Sequence, residues 1–100
     1  MANGDLIETR LLQLKHRFLA ALPQRIEALA NAIALCEQEP AAAPELSRQF
    51  HSLAGTAGTY GLVAISALAR EGEDACGSLD PDAFHYLRYL VDTMRYAEAA

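Results

Sequence analysis

The chain has 100 residues, a net charge of −5, 52% hydrophobic and 7% aromatic residues, and no tryptophan, which suffices for one core and one domain over residues 1–100. The acidic balance disfavours nucleic acid, which needs a basic face to displace phosphate counterions, and it disfavours anionic membrane surfaces. No apolar run approaches the roughly 20 residues of a spanning helix, and the first ten residues, MANGDLIETR, lack the basic-then-apolar pattern of a secretory leader, so a cytoplasmic chain is expected.

Alanine supplies much of the apolar content and β-branched residues are few, which predicts closely packed helices and no sheet. Residues 1–4 are expected to fray, and Asp5 is suited to cap a helix start. From there Leu11, Leu14, Phe18, Leu22, Ile26, Leu29, Ile33 and Cys36 hold helical spacing. Pro23 lacks a backbone donor and its ring clashes with the carbonyl of Leu19, which predicts a kink or short break near residues 20–23 and two segments, about 5–20 and 23–38.

Pro40-Ala-Ala-Ala-Pro44 reads as a linker, with Pro44 in the first turn of a helix over about 44–60 that Gly61 ends in the left-handed conformation. A further helix is expected over about 62–77, with Leu62, Ile65, Leu68, Ala69 and Cys76 inward, weakened by Gly72 and ended by Gly77. Asp80-Pro81 is a strong helix start, and a last helix over about 81–98 turns Phe84, Leu87, Leu90, Val91 and Met94 inward. Short loops between amphipathic helices imply antiparallel neighbours. The expected architecture is an all-α, antiparallel four-helix bundle with an N-terminal extension kinked near Pro23.

The most informative segment is FHSLAGTAGTYG, residues 50–61. Leu46, Phe50, Leu53, Ala57 and Tyr60 recur at 4-3-4-3 spacing, one face of a helix. His51 lies about 140° from that stripe at about 100° per residue. Its neighbours on the wheel are Ser47, Ala54, Gly55 and Gly58. Each interior glycine costs a helix about 1 kcal/mol relative to alanine, so two beside one exposed histidine call for a reason. Close approach by another molecule supplies one. Gly58 has a second reading, close packing against another helix.

A neutral imidazole on a rigid helix is a good nucleophile near pH 7 and can hold a phosphoryl group as a phosphoramidate. Arg48, one turn before His51, is placed to offset phosphate charge, and Ser47 and Ser52 to donate hydrogen bonds. Other polar groups read more plainly. Lys15-His16-Arg17 and the cluster Glu71, Glu73 and Asp74 read as solvated faces, His85 as a surface or boundary residue, and Tyr86, Tyr89 and Tyr96 as packing or boundary groups. Cys36 and Cys76 read as buried thiols rather than a redox pair. No spacing supports a metal site.

FHSLAGTAGTYGL resembles the signature of histidine-phosphotransfer (HPt) domains, a histidine followed by any residue, a leucine, commonly a lysine, and a glycine, with a later glycine closing the helix. His51 matches the phosphoryl-accepting histidine, Leu53 the core leucine, Gly55 the access glycine and Gly61 the closing glycine. FLAALPQRIEALANAI and ISALAREGED resemble the flanking helices, so the likeness spans roughly residues 15–95. It departs from the pattern at Ala54, where the lysine is usual. Arg48, a basic residue of another helix (Lys15, Arg17 or Arg70), or the partner would then replace that charge.

The resemblance implies a relay intermediate of two-component signalling that passes a phosphoryl group between His51 and a receiver-domain aspartate. Gly55, Gly58, Ala54 and Ser47 would form the docking and access surface, and Arg48 the phosphate support. Its partners would be a response-regulator receiver domain or a histidine kinase. The domain would have no ATP site and no cofactor, the Mg²⁺ belonging to the receiver, and would act as a monomer. The alternative is an HPt-like adaptor that docks without being phosphorylated.

Overall fold

Alanine-rich amphipathic stretches punctuated by proline and glycine leave the chain few options besides helices. The computed structural model describes residues 2–99. It contains α1 (Ala2–Gln38), α2 (Ala43–Thr59), α3 (Val63–Ala75) and α4 (Pro81–Ala99), with a 3-10 turn at Pro40–Ala42 between the first two. Each helix packs on two neighbours in a closed ring, α1 on α2 and α4, and α3 on α2 and α4, while the diagonal pairs stay apart. This is the expected all-α bundle.

Local chemistry explains the boundaries. The Asp80 side chain accepts the Ala83 N–H at 2.8 Å and its carbonyl accepts the Phe84 N–H at 3.0 Å, so the cap of α4 forms as read from Asp80-Pro81. Gly61 has φ 76° and ends α2 in the left-handed region. There the Leu62 N–H donates to the Ala57 carbonyl at 2.9 Å and the Gly61 N–H to the Gly58 carbonyl at 3.1 Å. This paired closure satisfies orphan carbonyls of the last turn and reverses the chain sharply into α3.

The core lies where the four apolar stripes meet. Leu22, Ile26, Leu29 and Ile33 of α1 face Leu46, Phe50 and Leu53 of α2, Ile65 and Ala69 of α3, and Leu87, Leu90, Val91 and Met94 of α4. Each fully buried large aliphatic side chain contributes about 1.5–3 kcal/mol by leaving water. Arg95 donates to both carboxylate oxygens of Glu27 (2.7 and 2.9 Å), and Arg88 pairs with Glu37, which marks the antiparallel register of α1 and α4.

Three expectations for α1 need correction. It runs through Pro23 as one helix, without a break into two segments. Pro23 sits on the exposed side while Leu22 and Ile26 on either side are buried, so packing holds the helix across it and the lost hydrogen bond faces water. The helix already includes Ala2–Gly4, so these residues are not frayed and Asp5 lies in the first turn instead of capping it; Met1 lies outside the described residues.

The third correction concerns the stripe. Leu11 is exposed and Leu14 half-buried, like the exposed Leu6, Ile7 and Leu12. The 37 residues of α1 span about 55 Å at 1.5 Å each, matching the 54 Å long axis of the molecule. Phe18 meets Tyr60, just past the end of α2, with ring centroids 5.5 Å apart, so α2 stops where residues 4–17 begin to project. Periodicity marks which face of a helix is apolar; it does not say whether another helix lies opposite.

Candidate functional site

Burial of Phe50, Leu53 and Ala57 turns the next face of α2 outward, and His51 stands on it with 77% of its side chain exposed. Its Nδ1 lies 2.6 Å from Oε2 of Glu73 on α3. The two atoms form an ion pair when the ring is protonated. Among the described residues no protein group bonds Nε2. The acidic cluster is therefore more than a solvated face: Glu73 meets His51, and Glu71 accepts the Tyr86 hydroxyl at 3.0 Å.

Glu73 reaches the ring because α3 approaches α2 closely at this level. Gly72 is buried, and a Cβ placed on it would sit 2.3 Å from Cε1 of Phe50. The Phe50 ring thus occupies the space a side chain at residue 72 would need. Phe50 and Gly72 are level across the two helices, and the next residue on each is His51 and Glu73. Sequence reading took Gly72 as a weak point of α3; the contact makes it the seat of the largest core side chain.

The predicted neighbours of His51 divide. Gly55 borders open space, since an added Cβ meets nothing within 4 Å. Ser47 is half-buried one turn before His51. Gly58 is exposed but borders α3, where an added Cβ would stand 3.3 Å from Oγ of Ser66, in keeping with its second reading as a helix-packing glycine. Ala54 is only 5% exposed, and its carbonyl accepts the Ser66 hydroxyl at 2.9 Å. It belongs to the α2–α3 seam and not to a docking surface.

Arg48 is engaged rather than poised. Its Nε donates to Glu45 Oε2 at 2.8 Å and its Nη2 to Glu45 Oε1 at 2.6 Å. These hydrogen bonds hold the Glu45 carboxyl at about 2 and raise the Arg48 guanidinium. Ser52 accepts from Arg25 Nη2 at 3.2 Å, and that guanidinium also lies 5.5 Å from the centre of the Phe18 ring. Arg25, Arg48, Gln49 and Ser52 line a groove of about 280 Å³ between α1 and α2.

The remaining groups offer no second centre. His16 and His85 are exposed, and among the described residues no three metal-ligating side chains cluster. Tyr86, Tyr89 and Tyr96 are exposed, not packed, although Tyr86 and Tyr89 stack with centroids 6.4 Å apart. Cys36 is buried and Cys76 half-buried, and both line one cavity with Leu79 and Phe84. Burial pushes the Cys76 thiol up to about 11, with Cys36 and Glu73 adding to the effect, and burial also raises Cys36. Such thiols stay protonated and inert.

This arrangement can present a nucleophilic nitrogen to a visiting protein, but it encloses no substrate. Comparison with curated proteins and with solved structures gave no significant match. The family model described as Hpt domain matches residues 13–97, from the projecting part of α1 to the last turns of α4. An exposed histidine on the second helix of a four-helix bundle, with a family match over most of its length, leads to one conclusion: the chain belongs to the Hpt domain family.

Proposed function

We propose that His51 accepts a phosphoryl group from a receiver-domain aspartate and passes it to another. The Hpt family acts in two-component phosphorelays, through phosphotransfer modules that have no ATP site of their own. One observation carries the finer reading: His51 is exposed, and its Nδ1 is held by Glu73 at 2.6 Å. On this reading the ring proton sits on Nδ1, beside the carboxylate, and Nε2 carries the reacting lone pair.

In the transfer, that lone pair attacks phosphorus in line with the aspartyl oxygen. The N–P bond forms as the P–O bond breaks, and the carboxylate leaves with its electron pair. The ring gains positive charge as the bond forms, and the Glu73 carboxylate offsets it from the opposite nitrogen. The reverse sequence discharges the group onto the next aspartate. The receiver supplies Mg²⁺ and the acidic pocket. Open space beside Gly55 lets that partner approach.

The test is incubation with phosphorylated receiver domains. Acid-labile, base-stable label is expected on the wild type and absent from His51→Gln. Binding to receivers without label on any of them would instead describe an adaptor.

A further inference from the structure

A phosphoryl group on His51 would bring about −1.5 to −2 charges at pH 7 to a ring already touching the Glu73 carboxylate. Two anionic groups this close need a cation, and the helix register decides which one can serve. Lys15 and Arg17 precede Phe18, which meets Tyr60. His51 lies nine residues before Tyr60 on α2, about 13 Å away along the axis. Arg48 is held by both oxygens of Glu45. Arg25 is turned to Ser52 and the Phe18 ring on the α1 side of α2.

Arg70 remains. Ser66, Arg70 and Glu73 follow at four- and three-residue spacing and share one face of α3. Ser66 Oγ bonds the Ala54 carbonyl and borders Gly58, while Glu73 meets His51 and Gly72 meets Phe50. Between those anchors, the antiparallel pairing sets Arg70 level with Ser52–Ala54. It is exposed, and among the described residues it enters no ion pair. Gly55, one residue beyond Ala54, borders open space.

We infer that Arg70 of α3 is the cation that contacts the phosphoryl group on His51. This rests on the phosphotransfer reading of His51. Arg70 bonds the phosphoryl oxygens from the α3 side while Glu73, one turn further along the same helix, holds the far nitrogen of the ring. One helix thus supplies both the group that orients the nucleophile and the group that neutralises what it receives.

Two readouts on the whole chain test this, the rate of His51 labelling by phosphoramidate and the NMR signal of the Arg70 Nε–H before and after phosphorylation. Arg70→Gln is expected to slow labelling about 10- to 100-fold, the worth of a charge-assisted hydrogen bond. In wild type the Arg70 Nε–H signal should move when His51 is phosphorylated, and it should stay in place in His51→Gln. Arg70→Lys should restore most of the rate. Arg48→Ala and Arg25→Gln should stay within about twofold of wild type, as exposed pairs contribute little. An Arg70→Gln protein that labels at the wild-type rate overturns the inference. If wild type takes no label, the phosphotransfer reading fails and the inference falls with it; a labelled wild type whose Arg70 signal does not move overturns the inference alone.

Discussion

The carboxylate of Glu73 and the imidazole of His51, one residue past the Gly72–Phe50 contact on their respective helices, meet at 2.6 Å. The proposed transfer divides the two nitrogens of one ring between different tasks. On that proposal Nδ1 meets Glu73 and Nε2 reacts with the docking partner.

Replacing the carboxylate tests that division. Glu73→Ala should slow His51 labelling about 10- to 100-fold, by analogy with the loss of the carboxylate behind a metal-bound histidine. Glu73→Gln, which keeps an acceptor oxygen but not the charge, should fall between. Nitrogen NMR of the His51 ring should show Nδ1–H as the main neutral tautomer in wild type and a mixture in Glu73→Ala. A wild-type ring protonated mainly on Nε2 would contradict the proposed nucleophile.

Gly55 and Gly72 are both helical glycines with opposite surroundings, so their substitutions should diverge. At Gly55, where an added Cβ meets nothing within 4 Å, leucine should leave the melting temperature unchanged or higher, since a helix interior favours it over glycine by about 1 kcal/mol. The same Gly55→Leu protein should fail to exchange phosphoryl groups with a receiver. Normal exchange by a folded Gly55→Leu protein would remove the access argument.

At Gly72 the same gain in propensity opposes a 2.3 Å approach to Phe50, a fully buried ring with nowhere to retreat. Overpacking of this kind costs about 1–3 kcal/mol and should win. Gly72→Ala is expected to melt at lower temperature than wild type in a calorimetric or circular-dichroism scan.

The Arg48–Glu45 pair carries a pH prediction. Hydrogen bonding from Arg48 lowers the folded-state pKa of Glu45 from 4.5 to about 2. A carboxyl whose folded pKa is depressed stabilises the fold above its unfolded pKa and loses that contribution as pH falls through the folded value. Carbon NMR should therefore show Glu45 titrating near 2, and Arg48→Ala should return it to the ordinary carboxylate range.

Burial at Cys76 makes a chemical prediction. With its thiol pushed up to about 11, native protein at pH 8 should react slowly with iodoacetamide at this residue, and quickly once unfolded. Rapid native-state alkylation would mean that the cavity it shares with Cys36 opens readily.

Local patterns carried most of the fold. The Leu46–Phe50–Leu53–Ala57 stripe, the Asp80 cap and the left-handed Gly61 each follow from chemistry within a few residues, and each forms as read. What depends on a distant partner did not show. The contact of Glu73 with His51 joins residues 22 positions apart, and an acidic residue among acidic neighbours looks solvated until the second helix is set beside it. Gly72 looked like a weakness because Phe50 was out of view. Ala54 looked like access because a helical wheel has no neighbouring helix on it, and α3 covers it. The continuity of α1 through Pro23 depends likewise on flanking residues being gripped by the bundle.

The tight reversal at Gly61 has a consequence for how this family member can vary. Only Tyr60, Gly61 and Leu62 separate α2 from α3, and backbone bonds clamp them at both ends. One residue inserted or removed there would swing α3 by about 100° about its own axis. Glu73 and Arg70 would rotate away together, and Phe50 would lose its slot. The joint therefore works as a gauge whose length aligns two helices, and it should tolerate changes of side chain far better than changes of length.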